Sequence, residues 1–357
     1  MIYRLTALTP TLVGDGRKLA PIDYMVWKEQ VNILDQNRIF RLLAKGQRLE
    51  GYLTQLRTAD KLDFAAWGGF AQNYAERRIP FEHPTATAQW NQSRTEHLHI
   101  PTFHSSHQGP FLPATALKGA LRTAVASSRW TAETISDVET RMAQQPIRKP
   151  GEAAEASVNS KAGGDSMSTV SLSDSEAIDY SAFKVYLTRL STLLNGASSK
   201  YQLAWKSNPA FAEMATPGTS FTGDFRVLQR GRSRISLSTI FNAANQQAKN
   251  FLQVQADYAE AAGLELLLAN VRKLQESLSG AQSRSSACLL CLGWGGGYLG
   301  KVAFQDVNSE IYRNLLRRFP YYDKAIRSGM PFPKTRRIVY QEGQPATFPG
   351  WVLLTTD

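Results

Sequence analysis

The chain is short of the residues that build disulfide frameworks and metal cages. It holds two cysteines, Cys288 and Cys291, and five histidines in 357 residues. Structural zinc needs four ligands, and no second Cys pair exists to complete the lone C-x-x-C. That pair lies inside the apolar run Ala287 to Leu292. If the run is a strand, residues three apart face opposite sides, so the thiols do not converge on one ion. Buried thiols in a reducing compartment are the expectation. Long apolar runs are also missing: nothing approaches the ~18 uninterrupted residues of a spanning helix. The start, Met1-Ile2-Tyr3-Arg4-Leu5, lacks the apolar core of a signal peptide, so a cytoplasmic protein without membrane contact is expected. Acidic residues are outnumbered, 30 Asp and Glu against 41 Lys and Arg, for a net charge of +11. An excess of that size favours an anionic partner. What the chain does have is apolar bulk, 43% of residues. That excludes disorder and supports real cores. The length allows two domains of ~100–200 residues each.

Residues 2–9 read as a strand, ended by a turn at Pro10 and Gly14-Asp15-Gly16. Residues 24–34 read as a hairpin with Lys28-Glu29 near its tip. Asp35 is a cap for a helix from about Asn37, with Ile39, Phe40, Leu42 and Leu43 inward. Further helix is expected over 47–58 and 60–79, a strand over 96–104, and a short helix from Ala116 to Ser127. Residues 143–168 carry almost no large apolar side chain and cannot offset their ordering entropy. They read as a flexible loop or linker between an N-terminal domain, 1–142, and a C-terminal domain, 169–357. Strands follow at 169–173, 183–190 and 219–228. A helical tract over 238–279 with Ser238 as cap is next, then strands at 287–292 and 301–305 and a helix near 307–318. Two successive mixed units fit an α+β plan with a sheet in each half.

Four segments carry chemistry. In Phe111 to Thr123, Leu117, Leu121 and Val125 form a buried stripe, while Lys118 and Arg122 share the opposite side. Thr115 reads as the N-cap, and a helix N-terminus beside a cation suits a phosphate. Gly119 allows a close backbone approach. In Gly293-Trp294-Gly295-Gly296-Gly297-Tyr298-Leu299-Gly300-Lys301, five of nine residues are glycine. Such a loop can turn amides toward an anion, or can be glycine-rich for tight packing. Trp294 and Tyr298 could stack on bases, with Lys301 adding charge. Gly295 to Lys301 also matches part of a nucleotide-binding loop, but Val302 stands where a magnesium-binding hydroxyl is needed. The tail Phe332-Pro333-Lys334-Thr335-Arg336-Arg337 is basic. So is Gln229-Arg230-Gly231-Arg232-Ser233-Arg234, whose alternating arginines share one side of an extended chain. Arginine suits phosphate because its flat fork donates two bonds together.

Histidines 97, 99, 104 and 107 cluster within eleven residues. Only Glu96 accompanies them, so a satisfied or surface cluster is preferred to a metal site. A histidine acting as general base in RNA cleavage stays open, because its pKa suits neutral pH.

Taken in order, several segments resemble one family. Thr9-Pro10-Thr11-Leu12-Val13-Gly14-Asp15-Gly16 resembles its opening TP-x-hydrophobic-x-G-x-G, and Leu112 to Arg122 its PGSSLKGALR. Val170 to Ser175 resembles RVSDS, and Pro217 to Gly223 resembles PGTxFxG. Gly293 to Lys301 resembles LGxGxGxxxK. Pro331 to Arg336, with the late Pro349-Gly350-Trp351-Val352, resembles the C-terminal signature. The family is the RAMP superfamily of CRISPR proteins, and within it the fifth Csm subunits of type III-A effector complexes are most similar. Ala114 and Ala116 depart from the pattern, where Gly and Ser are expected.

The resemblance implies two ferredoxin-like (RRM-like) domains with a glycine-rich loop and helical insertions. It implies a subunit capping the crRNA 3′ region beside the repeated RAMP backbone subunit. It also implies a part in crRNA maturation through separate host nucleases, with no active site of its own. RNA-facing candidates are Gly14, Gly16, Thr115, Lys118, Arg122, Arg230, Arg232, Arg234, Trp294, Gly295, Gly296, Gly297, Tyr298, Lys301, Lys334, Arg336 and Arg337. No cofactor, metal or catalytic residue is expected. The competing readings are a metal-independent RAMP endoribonuclease using His104 or His107, and a structural adaptor whose basic faces meet acidic subunits.

Overall fold

The computed structural model describes residues 1–44, 48–58, 73–144, 166–196, 201–228, 235–301, 309–327 and 331–357. The opening strand β1 (Ile2–Ala7) alternates exposed and buried side chains, with Tyr3, Leu5 and Ala7 inward. The short β2 (Lys18–Leu19) precedes a hairpin of β3 (Tyr24–Trp27) and β4 (Gln30–Leu34), turned at Lys28 and Glu29, both at positive φ. Asp35 caps α1 (Gln36–Leu43), its carboxylate accepting from the Arg38 amide at 2.9 Å. Only Ile39 and Leu43 of that helix are buried; Phe40 and Leu42 are about half exposed, contrary to expectation.

Helix α2 (Arg48–Thr58) follows, and β5 (Ala75–Pro80) occupies part of the stretch expected to be helical. β5 pairs with β4, and that pairing overrides the local helical preference. Then come α3 (Pro84–Gln92), β6 (Ile100–Pro101), β7 (Ser105–Ser106) and β8 (Gly109–Pro110). The expected strand over 96–104 is thus reduced to a two-residue pair with β2. Helices α4 (Ala114–Ser127) and α5 (Ala132–Gln144) close this part. Of the expected linker, 145–165 lies outside the described residues.

Beyond it lie β9 (Val170–Leu172), β10 (Phe183–Asn195), β11 (Tyr201–Ala215) and β12 (Ser220–Val227). The single helical tract expected over 238–279 is two helices, α6 (Leu237–Ala261) and α7 (Glu265–Gln282). Gly263, at φ +65°, divides them. Its amide donates to Glu260 O at 3.0 Å and the Leu264 amide to Ala259 O at 3.0 Å, a Schellman stop that a left-handed glycine makes cheap. The cap of α6 is Ser236, not Ser238; its hydroxyl accepts from the Thr239 amide at 3.0 Å. The chain continues through β13 (Ala287–Cys291), α8 (Glu310–Arg317), α9 (Pro320–Arg327), β14 (Thr335–Gln341), β15 (Gln344–Thr347) and β16 (Trp351–Thr356). The strand expected at 301–305 falls almost wholly outside the described residues.

Two antiparallel sheets organise the fold. One runs β13-β16-β1-β12-β9 and the other β11-β10-β14-β15, with β3-β4-β5 as a smaller third sheet. Strands from both sides of residues 143–168 therefore share the first sheet. One core lies under α4 and the start of α6, with Leu117, Leu121, Phe221, Phe225 and Phe241 buried in it. A second joins α6, α7, Trp351, Ile338 and Phe332. Cys288 belongs to the first and Cys291 packs against the second, so the two thiols face opposite sides of β13. Burial pushes both thiols up, Cys291 to about 12, so neither is a ready thiolate. The third sheet is pinned to β11 by an ion pair between Arg77 and the buried Glu213. Arg77 also lies 3.8 Å from the Tyr180 ring centroid. The described helices include none long and apolar enough to cross a membrane.

Candidate nucleic-acid interface

The turn after β1 is where the separated motifs meet. Leu292 donates its amide to Gly350 O at 2.7 Å, and Gly350 donates to Pro10 O at 3.0 Å. Trp294 donates to Leu12 O at 2.9 Å, and the Trp351 amide to Thr9 Oγ1 at 2.9 Å. On the other side Thr11 and Ala215 exchange amide–carbonyl bonds of 2.8 and 3.1 Å, and Gly218 donates to Ala7 O at 2.7 Å. The opening turn, the glycine run, the Pro217-Gly218 turn and the Pro349-Gly350 turn thus form one hydrogen-bonded knot. Gly14 and Gly16 are exposed beside it. A Cβ on Gly14 would meet Thr102 O at 2.9 Å, whereas Gly16, at φ +92°, stands in open space.

Glycine is required in this knot for approach. Gly293 has φ +65° and no room for a Cβ against Leu12 O. A Cβ on Gly295 would collide with the carbonyl of Pro349. The tight-packing role weighed from sequence is therefore part of the answer for these two positions. Tyr298 is packed internally as well. Its hydroxyl bonds that of Tyr312, and its ring lies 5.3 Å from Phe332 and 5.6 Å from Tyr322. Trp294 is half-buried, with the Arg337 guanidinium 3.8 Å from its ring centroid.

The helix with the basic face begins one residue earlier than its expected cap. Pro113 is the N-cap of α4 and makes no side-chain bond, so Thr115 is inside the helix and exposed. The cap comes instead from across the fold: Asp174 accepts from the Ala114 amide at 2.7 Å. Ser175 Oγ accepts from Leu112 N–H at 2.9 Å, and the Ser175 amide returns a bond to Leu112 O at 3.0 Å. Lys118 Nζ donates to Val170 O at 2.7 Å. The positive end of this helix therefore already faces a carboxylate of its own chain. Arg122, one turn on, is exposed, and Gly119 has open space around it. Ala120 of this helix and Gly300 line one small cleft, which brings α4 beside the end of the glycine run, where Lys301 is exposed.

Beneath the glycine run lies a cavity of about 250 Å³. Gly295 to Leu299 form one wall, Pro333 and Thr335 to Arg337 another, and Phe251, Gln255 and Phe348 contribute the rest with Leu190 and Trp294. Arg336 is 8% exposed. Its Nη1 donates to the carbonyls of Pro333 and Thr335, and its guanidinium carbon is 4.9 Å from the Tyr258 ring centroid. Among the described residues its Nε and Nη2 have no hydrogen-bond partner, and both atoms are sealed from solvent. Burial lowers its pKa to about 10, with Tyr258 acting in the opposite direction. Arg337, on the next strand position, donates to Thr188 Oγ1 at 3.2 Å, and burial lowers its pKa too. Lys334 is half-buried just before them. Sequence reasoning placed Arg336 on a basic surface; the signal for its burial was the alternation that aligns it with the core residue Ile338. Arg230, Arg232 and Arg234 lie outside the described residues.

The histidines disperse. His97 contacts Glu96 at 3.0 Å and the Asn208 amide. His104 packs edge-on against Phe111, 4.5 Å between centroids, with Asp15 at 3.8 Å. Among the described residues no three His, Cys, Asp or Glu side chains gather as a metal-ligand set.

The RAMP superfamily model matches residues 4–302. No curated protein matches the chain by sequence. Two solved structures share its fold. A chain of a Csm–crRNA–target RNA ternary complex from a type III-A CRISPR-Cas system aligns with TM-score 0.62 and 16% identity, over 99% of this chain and 100% of that one. Csm5 of T. onnurineus aligns with TM-score 0.59 and 16% identity, over 98% and 99% of the two chains. A family match over most of the sequence, on a fold of curled antiparallel sheets with helical insertions, establishes that the chain belongs to the RAMP superfamily.

Proposed function

We propose that this chain is an RNA-binding subunit of a type III CRISPR effector complex, holding crRNA by its phosphate backbone. The observation that carries the reading is the knot itself. Four motif segments far apart in sequence come together there, with Lys301, Arg337 and helix α4 alongside. A similar fold over nearly the whole length of a chain in a Csm–crRNA–target RNA complex supports the same reading. Backbone contacts carry no sequence information, which suits a subunit that must accept any spacer. The finer role is to cap the crRNA 3′ region beside the repeated RAMP subunit and to position separate nucleases during maturation.

The test is a titration of the full chain with two RNAs of unrelated sequence at 50 and 200 mM salt. Equal affinities are expected, falling together. Four phosphate contacts would cost roughly fifty-fold over that range, from a slope of about −0.7 per phosphate on a single strand. The double variant Arg122→Ala, Lys301→Ala weakens both RNAs alike; a loss confined to one sequence would mean base readout and overturn the mechanism. Metal-independent cleavage of repeat RNA that disappears in His104→Ala or His107→Ala would establish the endoribonuclease instead.

A further inference from the structure

Helix α9 has an inner and an outer side. Tyr322 and Ile326, four residues apart, pack into the second core. Tyr321 and Lys324, three apart, share the opposite side, and both are exposed. Tyr321 is 81% exposed, the most open large apolar side chain among the described residues. A single exposed ring carries no meaning by itself; its setting does. The first feature of that setting is a row of rings. Tyr321 lies 5.4 Å from Tyr322, centroid to centroid, and Tyr322 lies 5.6 Å from Tyr298 of the glycine run. Phe332 contacts both Tyr298 and Tyr322, so the inner rings are held by packing. Tyr321 ends the row at the surface, two ring steps from the glycine run. The second feature is charge. From Glu310 to Arg327 the chain carries five Lys and Arg against two acids, Glu310 and Asp323. Arg317, Arg318 and Arg327 pair with Glu310, Glu139 and Asp323. Lys324, on the same side as Tyr321, makes no ion pair among the described residues. An open ring beside an unneutralised cation matches a nucleotide, which presents a flat base and a phosphate together. An acidic protein surface would answer the cation but would not call for the ring.

We propose that Tyr321 is a stacking platform for one base of a single-stranded RNA, with Lys324 on the neighbouring phosphate. This rests on the RNA-binding reading and adds to it a base contact outside the glycine run. Every base has a π-face, so stacking tolerates any sequence and fits a strand held otherwise by its backbone. The ring's exposure also separates binding from folding: removing it takes little from the core, so a loss of affinity is not a loss of fold.

The test titrates the full chain with a fluorescent single-stranded RNA across a salt series. Tyr321→Ala should weaken binding about tenfold, while Tyr321→Phe should stay within about twofold. Both variants should melt at the temperature of the unmodified chain. The salt slope should be unchanged in Tyr321→Ala, because no phosphate contact is lost. In Lys324→Ala it should become shallower by about 0.7, the share of one phosphate on a single strand. Copies of the RNA, each lacking one base, then locate the contact. At one position the missing base should cost the unmodified chain about tenfold, and cost Tyr321→Ala nothing further. Salt-sensitive RNA binding that Tyr321→Ala leaves unchanged overturns the platform, keeps the RNA reading and leaves this surface to a protein partner. A loss in Tyr321→Phe as large as in Tyr321→Ala assigns the contact to the hydroxyl and overturns stacking. An unchanged slope in Lys324→Ala overturns the phosphate contact. Absence of RNA binding by the unmodified chain overturns the RNA reading and this contact with it.

Discussion

Two regions present basic or amide-rich groups suited to an anion, and the fold treats them in opposite ways. At the start of α4 the donors are already answered: Asp174 takes the Ala114 amide, Ser175 the Leu112 amide, and Val170 O the Lys118 ammonium. Under the glycine run, two donors of Arg336 go unanswered among the described residues, although it is more deeply buried than Lys118. Sequence alone gives both segments similar promise, since each pairs small residues with cations. The contrast separates a cation that the fold ties down at its charged end from one that it ties down only in part. A satisfied charge holds a fold together; an unsatisfied buried one lowers its stability.

The largest effect that would sharpen this contrast is expected at the glycine wall. Gly295→Ala drives a methyl into the Pro349 carbonyl and should cost about 2–3 kcal/mol in urea unfolding, as overpacking does. Replacing the two cations by methionine should separate them next. Lys118→Met should lower stability by about 1 kcal/mol, because Val170 O loses a donor. Arg336→Met should leave stability unchanged or raise it, because an unpaired buried charge is removed. Equal losses of stability in both variants would erase the distinction. Asp174→Ala removes the cap supplied to α4 and should cost about 1 kcal/mol or less, read by the same unfolding curves. It should also strengthen RNA binding modestly, by freeing a helix N-terminus beside Lys118. The smallest effect is expected at Gly119→Ala, where space is open and the backbone helical; it should stabilise by about 0.5–1 kcal/mol.

How much of this was legible depended on whether a signal was local. The hairpin at Lys28-Glu29, the Asp35 cap and the apolar stripe of α4 are written within a few residues, and each appears in the structure as expected. β5 was read as helix because its sequence, Ala75 to Pro80, carries no strand alternation strong enough to outweigh its neighbours; pairing with β4 decides it. Thr115 looked like a cap because Ser and Thr usually supply their own; here the cap is donated by Asp174, sixty residues away, which no local pattern encodes. Phe40 and Leu42 face outward although their spacing suggests a core face, since only one side of α1 meets Tyr52 and Leu34. The motif order named the family, but the cavity depended on which face of β14 turned inward. Alternation in Thr335 to Gln341 held that information, masked by the habit of placing consecutive arginines in water.

The position of β1 has a consequence for how the molecule is made. Its two neighbours in the sheet are β12, some two hundred residues later, and β16, some three hundred and fifty residues later. As the chain leaves the ribosome, the first strand emerges with neither edge answered; β12 can pair with one edge once residue 227 is free, and the other waits for β16. Completion of the first sheet therefore waits on its last strand and is slow, since the β1–β16 pairing closes a very long loop. Until then an apolar strand edge is exposed to other nascent copies, so yield on expression should depend on holding that segment apart from its neighbours.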